Sequence, residues 1–409
     1  MPGALSHIRV LDLSRVLAGP WCTQNLADLG AEVIKVEKPG SGDDTRAWGP
    51  PWLRDAAGNE TGESAYYLSC NRGKKSLALD IAHPEGQRLV RALAARCDVL
   101  VENFKVGGLA KYGLDWNSLR AVNPRLVYCS ITGFGQDGPY AERPGYDFIV
   151  QGMGGLMSVT GEPDGTLGGG PQKVGVAVAD LFTGMYATVA VLAALTFREK
   201  SGEGQHIDLA LLDAQVAMLA NQNMNFLVSE RAPERMGNAH PNIVPYQTFA
   251  TADGHLILAV CNDAQFRRFC ELAGRADLAD DARFAGNRDR VANRAALIPL
   301  LEPLLRTRTT HAWVEAMESA GVPCGPINRL NEVFDDPQVS HRGLRIELPH
   351  PTAGRVPLVA SPMRLSASAV VRDRPPPLLG QHTSEILRDV LSLSPTELQR
   401  LEQAGVIGT

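Results

Sequence analysis

The sequence predicts an α/β protein with a large domain built on a Rossmann-like parallel sheet and a separate, smaller α+β domain. Three observations lead to this fold class. Short apolar strands alternate with helical segments in the N-terminal half, the pattern changes after a polar, turn-rich stretch at residues 229–245, and 409 residues exceed one ordinary domain. Hydrophobic residues make up 44% of the chain and charged residues 21%, so a large core can be buried without disulfide or metal staples.

The first β-α-β unit occupies residues 7–37. An apolar strand is predicted at residues 7–13, Pro20 can begin the helix that follows, and a second strand is predicted at residues 31–37. The alternation continues with elements at residues 76–80, 84–95, 98–102 and 125–131. Strands separated by helices predict a parallel sheet with both faces covered.

The middle of the chain changes character at residue 133. Residues 133–175 are rich in Gly and Pro, which predicts long ordered loops with one short helix near residues 148–157. Asp180 precedes a long apolar helix, whose uncharged part falls at the short end for a membrane span and is better interpreted as buried. A strand and a helix are then predicted at residues 206–209 and 211–228.

Charge and cysteine content exclude several classes of function. The net charge is −5, so counterion release would contribute little to binding nucleic acid. The seven cysteines contain no C-x-x-C pair, which indicates reduced thiols rather than disulfides or zinc. The N-terminus lacks the basic and apolar pattern of a secretory signal. We therefore expect a cytoplasmic protein with neither nucleic acid nor membrane as a partner.

Two cofactor classes are also disfavoured. Glu37 ends the second strand, where dinucleotide-binding folds place an acid, but residues 14–20 lack the G-x-G-x-x-G glycines that let a backbone approach a pyrophosphate. This predicts a Rossmann-like sheet without NAD or FAD. His240 lies in a predicted loop without a second His, Cys or acid at zinc spacing, so no metal site is predicted.

Basic side chains gather near the predicted loops of the first 111 residues. They have two interpretations: a solvated charged face, or a set from which some members contact phosphates of an anionic ligand. These residues are Lys35, Lys38, Arg46, Arg72, Lys74, Lys75, Lys105 and Lys111.

Asp180 stands between an apolar run and the long apolar helix. An N-cap is one interpretation, since aspartate is favoured at helix starts. The position also suits an ionised nucleophile, because a helix N-terminus stabilises a carboxylate and would keep it charged beside apolar neighbours. The residues alone leave both interpretations open.

Several motifs together resemble the class III CoA-transferases, the CaiB–BaiF family. They run in family order along nearly the whole chain and occupy residues 10–46, 101–104, 145–147, 175–184 and 377–383. Within that family the likeness is greatest to the succinate–hydroxymethylglutarate CoA-transferases. That likeness depends on residues 244–247, 321–328, 350–352 and 374–383.

The resemblance implies that Asp180 is the nucleophile that carries first an acyl group, as an anhydride, and then CoA, as a thioester. It implies transfer of CoA from an acyl-CoA such as succinyl-CoA to a carboxylic acid, with CoA as substrate and no tightly bound cofactor or metal. The CoA contacts it implies are Val16, Leu17, Ala18, Lys38, Leu79, Asn103, Phe104, Lys111, Tyr146 and Asp147. Asn238 and His240 stand where they could hold the acceptor or an oxyanion.

The resemblance also implies the domain organisation and assembly. Residues 1–229 and 327–409 would form the large CoA-binding domain, with residues 230–326 inserted as the smaller one. Two chains would interlock as a homodimer. A short dicarboxylate acceptor needs a clamp for its second carboxylate, for which Arg143, Lys173, Arg231 and Arg235 are candidates.

Two alternatives to transfer remain. The 2-methylacyl-CoA racemases share the fold but place a histidine immediately before the aspartate of the Gly-x-Asp motif, and Tyr146 occupies that position here. A tyrosine, with an ordinary pKa of about 10, suits hydrogen bonding better than proton shuttling at neutral pH. The other alternative is a CoA-binding module without chemistry.

Overall fold

The computed structural model of the chain describes residues 2–371 and 373–408. Its strands, in chain order, are β1 (Arg9–Asp12), β2 (Glu32–Glu37), β3 (Trp52–Arg54), β4 (Glu60–Ser64), β5 (Lys74–Ala78), β6 (Val99–Glu102), β7 (Val127–Thr132), β8 (His206–Ala210), β9 (Tyr246–Ala250), β10 (His255–Ala259), β11 (Cys324–Pro326), β12 (Arg345–His350) and β13 (Gly354–Val359).

The helices, in chain order, are α1 (Ala18–Asp28), α2 (Ala65–Ser69), α3 (Pro84–Ala94), α4 (Trp116–Val122), α5 (Asp147–Met153), α6 (Leu156–Val159), α7 (Val178–Ser201), α8 (Leu211–Met218), α9 (Asn221–Ser229), α10 (Asp263–Leu272), α11 (Ala276–Asp280), α12 (Asn287–Ala292), α13 (Arg294–Leu305), α14 (Thr310–Ser319), α15 (Leu330–Asp335), α16 (Pro337–His341), α17 (Thr383–Leu391) and α18 (Pro395–Gln403). Single 3₁₀ turns occupy Asp44–Ala47 and Ala110–Tyr112.

The largest sheet confirms the predicted parallel α/β architecture. Its six strands lie in the order β5-β2-β1-β6-β7-β8, and every neighbouring pair is parallel. From β1 the chain builds outward through β2 and β5 on one side, and from β6 through β7 and β8 on the other. The strand order therefore reverses between β1 and β6, and parallel α/β sheets bind ligands in the crevice at such a reversal.

Both faces of this sheet are buried. Leu11 and Leu100 point into one apolar cluster, while Val10 and Val99 point into the cluster on the opposite face. This alternation follows from the two-residue repeat of a strand. Each fully buried leucine stabilises the fold by about 1.5–3 kcal/mol relative to an exposed one. Packing on both faces therefore stabilises the sheet and fixes the positions of its strand ends.

Contacts divide the chain into two compact units. The larger comprises the described residues among 2–156, 174–223 and 337–408, and the smaller comprises Met157–Lys173 and Met224–Asp336. The smaller unit has an antiparallel sheet of order β11-β10-β9 and its own core, which includes Phe266, Phe269 and Trp313. Residues 157–173 pack with this unit because Gly161 accepts a hydrogen bond from the N–H of Gly237 and Asp164 pairs with Arg235.

The helix α7 begins before the residue expected to cap it. Its N-cap position is Ala177, and Asp180 lies within its first turn, so the N-cap interpretation of Asp180 is wrong. Among the described residues, α7 is the helix long and apolar enough to cross a membrane, by length and composition only. The predicted burial holds for one face of α7, where Ala187 and Val191 are buried, whereas Phe182, Met185 and Val189 are exposed. A Cβ on Gly184 would lie 2.6 Å from the carbonyl oxygen of Ala18. The helices α7 and α1 therefore pack too closely at this point for any residue other than glycine.

Candidate functional site

Two neighbouring cavities open at the carboxyl edge of the large sheet, beside the reversal of strand order. The larger has a volume of about 420 Å³ and the smaller about 200 Å³, and Arg15, Asp44 and Phe104 line both. The larger is also lined by Lys38 and Leu79, while the smaller is lined by Val16, Leu17, Ala18, Asn103, Tyr146 and Asp180. Most of the sequence-predicted site residues therefore surround one continuous groove in the larger unit.

The topology explains this convergence. Lys38, Leu79 and Asn103 each come directly after a parallel strand, at the ends of β2, β5 and β6. Parallel strands end at the same edge of a sheet, so residues far apart in sequence meet there.

Asp180 lies in the smaller cavity, and its carboxyl group is poorly solvated. Burial, together with the nearby charge of Asp147, raises the pKa of Asp180 to about 7. No residue that the structure describes donates a hydrogen bond to this carboxylate. The helix N-terminus was expected to keep Asp180 charged, whereas burial and the like charge of Asp147 favour its uncharged form and oppose that effect.

The N-terminus of α7 is capped by Asp147 instead. One carboxylate oxygen of Asp147, Oδ1, accepts the backbone N–H of Ala179 at 2.8 Å. The other, Oδ2, accepts from Nε2 of Gln151 at 2.7 Å. Both oxygens of Asp147 are thus already engaged by the protein, and its predicted contact with CoA stays a prediction.

The loop between β1 and α1 is held in an unusual conformation. Val16 has φ of +71°, which costs a β-branched residue on the order of 1–3 kcal/mol. Its N–H is accepted by Oδ1 of Asp43 at 3.2 Å. The amide of Asn103 accepts the N–H of Arg15 at 2.9 Å and donates to its carbonyl at 2.7 Å. Asn103 therefore shapes the groove by fixing this loop.

The helix α1 begins at this loop, earlier than Pro20. Leu17 occupies its N-cap position and has no side-chain capping bond. Within the part of the chain that the structure describes, the N–H groups of Ala18 and Gly19 have no acceptor. A helix N-terminus with free N–H groups favours an oxyanion or a thiolate.

Five of the eight basic side chains that gather near the predicted loops pair with carboxylates of the protein, which disfavours them as phosphate contacts. The pairs are Lys35 with Asp43, Arg46 with Glu37, Arg72 with Asp28, Lys74 with Asp12, and Lys75 with Glu32. Lys35, Arg72 and Lys74 are buried, so the alternative of a solvated face is wrong for these three. Lys38, Lys105 and Lys111 are exposed and remain available to an anion.

Lys38 lines the larger cavity and Lys105 the smaller. The ammonium of Lys111 lies 4.7 Å from the ring centroid of Tyr112, which itself lines the larger cavity. Lys38 and Lys105 therefore line the groove, Lys105 in the cavity that contains Asp180, and Lys111 lies beside a residue that lines it.

Asn238 and His240 belong to the smaller unit, and their predicted roles stay predictions. His240 is fixed locally: its Nδ1 accepts the N–H of Asn242 at 3.0 Å, and its carbonyl accepts from Arg294 at 2.8 Å. Burial and the charge of Arg294 lower the pKa of His240, which favours its neutral imidazole. Of the four clamp candidates, Arg143 lines the cavity that contains Asp180, while the other three lie in the smaller unit.

Sequence reasoning missed Arg15, Gln151 and Tyr66. Arg15 lines both cavities, and Gln151 is fully buried next to Asp147. Burial and the charges of Asp180 and other acids raise the pKa of Tyr66 to about 12. A signal existed only for Gln151, whose spacing of four residues from Asp147 places both on one helix face.

Searching the described residues for three or more His, Cys, Asp or Glu side chains arranged to hold a metal ion finds no such group. The cavity that contains Asp180 is instead lined by Arg15, Lys105, Arg143 and Tyr146, whose side chains can donate hydrogen bonds to an anion. This set suits an anionic organic substrate.

Residues 5–383 match the family model of CoA-transferase family III. The chain belongs to this family. The succinate–glutarate CoA-transferase of Agrobacterium fabrum is 54% identical to it, over 96% of this chain and 97% of that protein. The succinyl-CoA:glutarate CoA-transferase of Homo sapiens is 44% identical, over 98% of this chain and 90% of that protein. These likenesses confirm the predicted enzyme class: the protein is a class III CoA-transferase.

A solved structure supports the same assignment for the transferase. The crystal structure of a CAIB/BAIF family protein from Brucella suis superposes on this chain with a TM-score of 0.84 and 50% sequence identity. The match covers 95% of this chain and 100% of the other. The family model and the solved structure thus agree on the fold and the enzyme class.

Proposed function

We propose that this transferase moves CoA from succinyl-CoA to a short dicarboxylic acid such as glutarate, with Asp180 as the covalent carrier. The observation that supports this most is the carboxyl group of Asp180, which accepts no hydrogen bond from the described residues and lines the smaller cavity of the groove. The named substrates of the similar transferases from Agrobacterium fabrum and Homo sapiens support the choice of donor and acceptor.

The proposed cycle conserves charge at each step. The ionised Asp180 attacks the thioester carbonyl of succinyl-CoA, and the carbon–sulfur bond breaks to give a mixed anhydride and CoA thiolate. The thiolate attacks the Asp180 carbonyl of the anhydride, which releases succinate and leaves an aspartyl-CoA thioester. The acceptor carboxylate attacks this thioester and expels the thiolate again. The thiolate then attacks the acceptor's acyl carbon, which forms the new acyl-CoA and regenerates ionised Asp180.

The residues of the groove have distinct proposed tasks. CoA would lie with its nucleotide portion in the larger cavity, near Lys38, Leu79, Phe104 and Lys111, and its pantetheine chain directed past Val16 toward Asp180. The unengaged N–H groups at the start of α1, at Ala18 and Gly19, are the proposed donors for the oxyanion or thiolate. Tyr146 and Asp147 would border the acyl end. CoA is substrate in this scheme, and no resident cofactor is required.

Arg143 is the proposed clamp for the second carboxylate of the acceptor. Its guanidinium lies 4.3 Å from the ring centroid of Tyr140, and it lines the cavity of Asp180. A planar fork can bind a carboxylate through two parallel hydrogen bonds. A monocarboxylic acid would leave this cation unpaired.

The assembly and location are proposed on separate grounds. An interlocked homodimer would cover apolar side chains on the outer face of α7, including Phe182, Met185 and Val189, which are 43%, 46% and 59% exposed. The domain bounds expected from the sequence, residues 1–229 and 327–409 with 230–326 inserted, differ from the two compact units, since residues 157–173, 224–229 and 327–336 belong to the smaller one. The seven unpaired cysteines suit a reducing compartment, so we place the enzyme in the cytoplasm.

The decisive experiment compares Asp180→Ala with the wild type. We expect a loss of at least about a thousandfold in kcat, because alanine has no carboxylate to carry the acyl unit. The assay uses succinyl-CoA with a panel of mono- and dicarboxylic acids, with products read by mass spectrometry. Wild-type rates in Asp180→Ala would overturn the mechanism, and failure of every dicarboxylate would overturn the acceptor class. Deuterium uptake at the α-carbon of a 2-methylacyl-CoA would favour racemisation instead.

A further inference from the structure

A chain of hydrogen bonds connects α5 to the start of the helix that contains Asp180. Asp147 is the first residue of α5, and its Oδ1 accepts the N–H of Ala179 at 2.8 Å. Ala179 is the residue immediately before Asp180. The cap of α7 is therefore supplied by a carboxylate from another helix.

Gln151 holds that carboxylate in place from one turn further along α5. Its side chain is completely buried. Its Nε2 donates to Oδ2 of Asp147 at 2.7 Å and to the carbonyl of Val176 at 3.4 Å, and its Oε1 accepts the N–H of Val174 at 2.9 Å. One amide thus fixes both Asp147 and the segment that leads into α7. Removing it would strand buried polar groups, which is costly.

The arrangement places two carboxyl groups near each other, and they differ in their hydrogen bonding. Asp147 accepts two hydrogen bonds, while Asp180 accepts none from the described residues. Burial and the charge of Asp147 raise the pKa of Asp180 to about 7. The other charged or titratable groups that face Asp180 are Arg15, Asp44, Lys105, Arg143 and Tyr146 in the cavity wall, and Tyr66 on α2.

We propose that Asp147 is a positioning residue that destabilises ionised Asp180 relative to its acylated forms, and that Gln151 holds Asp147 for this task. The inference rests on the proposed role of Asp180 as nucleophile. In each covalent intermediate the carboxylate of Asp180 becomes an uncharged acyl group, and the negative charge passes to the thiolate or to the released acid. Repulsion from Asp147 is present before the attack and is relieved by it, so it lowers the barrier.

The test is the pH profile of kcat/KM for succinyl-CoA. In the wild type the acid limb should lie near pH 7, with activity rising as Asp180 ionises. Asp147→Asn keeps an acceptor for the N–H of Ala179, removes the charge and replaces the oxygen that accepts from Gln151 by an NH2 group. Loss of the charge should move the limb down by about one unit or more. Above pH 8, where Asp180 is ionised in both proteins, kcat of Asp147→Asn should fall by about tenfold. This is the rate equivalent of losing one pKa unit of repulsion between Asp147 and ionised Asp180.

Matched variants separate charge from structure. Asp389→Asn makes the same change in net charge at an exposed position and should leave the limb unmoved. Asp147→Glu restores the charge and should bring the limb back toward pH 7. If Asp147→Asn does not fold, Gln151→Met is the variant that tests the proposal. It should lower kcat and move the acid limb. Its KM for succinyl-CoA should stay within about twofold of the wild type, because Gln151 does not line the cavity.

The outcomes distinguish this inference from the proposed function. An unmoved acid limb in folded Asp147→Asn, with Asp180→Ala inactive, would overturn the role of Asp147 and leave the nucleophile intact. Full activity in Asp180→Ala would overturn the nucleophile, and with it the present inference. A lowered limb in Asp147→Asn alongside an unchanged Asp389→Asn supports the proposal.

Discussion

Replacing Lys35 with methionine should destabilise the enzyme and weaken its binding of acyl-CoA. The Nζ of Lys35 donates to Asp43 at 2.8 Å and to the carbonyl of Ser14 at 2.9 Å, and neither charged side chain is exposed. Lys35→Met leaves the Asp43 carboxylate buried without its cation. Breaking one partner of a buried pair costs about 3–5 kcal/mol. At about 2–4 °C per kcal/mol for a unit of this size, the melting temperature should fall by roughly 6–20 °C.

The functional part of this prediction follows from what Asp43 holds. Asp43 accepts the N–H of Val16, whose left-handed backbone shapes the smaller cavity. An unpaired Asp43 should reorient, so KM for succinyl-CoA should rise while the remaining kcat changes less. Calorimetry and steady-state kinetics measure the two effects.

The matched control is Lys75→Met, on the neighbouring strand. Lys75 pairs with Glu32 and Glu385, which are 29% and 41% exposed, so this pair contributes only about 0–1 kcal/mol. The reasoning is refuted if Lys35→Met melts within a degree or two of Lys75→Met. It is also refuted if stability falls but KM for succinyl-CoA does not change. Adding Asp43→Asn to Lys35→Met removes both charges and should recover much of the lost stability.

Two further predictions concern the groove. Gly184→Ala places a Cβ 2.6 Å from the carbonyl oxygen of Ala18, so α1 must shift. The free energy of unfolding should fall by about 1–3 kcal/mol, and kcat should drop. The control is Thr196→Ala at an exposed position of the same helix, which should change neither quantity. Arg143→Met should raise KM for glutarate at least about tenfold, because the second carboxylate of glutarate is proposed to bind the guanidinium. The KM for a monocarboxylic acid of similar length should stay nearly the same. Equal increases in KM for both acids would contradict the proposed clamp.

Much of the fold was predictable because it depends on local patterns. The apolar strands near residues 7–13 and 98–102 and the helix at Thr383–Leu391 appear where their periodicity and turn residues place them. Helix boundaries in the apolar middle do not follow from local periodicity. The helix predicted over residues 211–228 is divided into α8 and α9 at Ala220, whose φ of +43° no local pattern indicated.

The candidate site was predictable where it depends on topology and not where it depends on packing. Lys38, Leu79 and Asn103 meet because each follows a strand of one parallel sheet. In contrast, Lys35 and Lys74 look like Lys38 in sequence, yet both are completely buried in ion pairs. Their partners, Asp43 and Asp12, lie 8 and 62 residues away, and neither spacing has a local signature.

The sequence by itself determined the parallel α/β sheet, the family and the position of Asp180 at the start of a long apolar helix. These depend on the order of residues along the chain, through strand and helix periodicity and recurring motifs. Only the tertiary structure decided that Asp147 caps that helix, that Gln151 fixes Asp147, and that Asp180 is left with a pKa of about 7. Desolvation and charge–charge repulsion depend on distances through space, and Asp147 and Asp180 become neighbours only when α5 and α7 pack together.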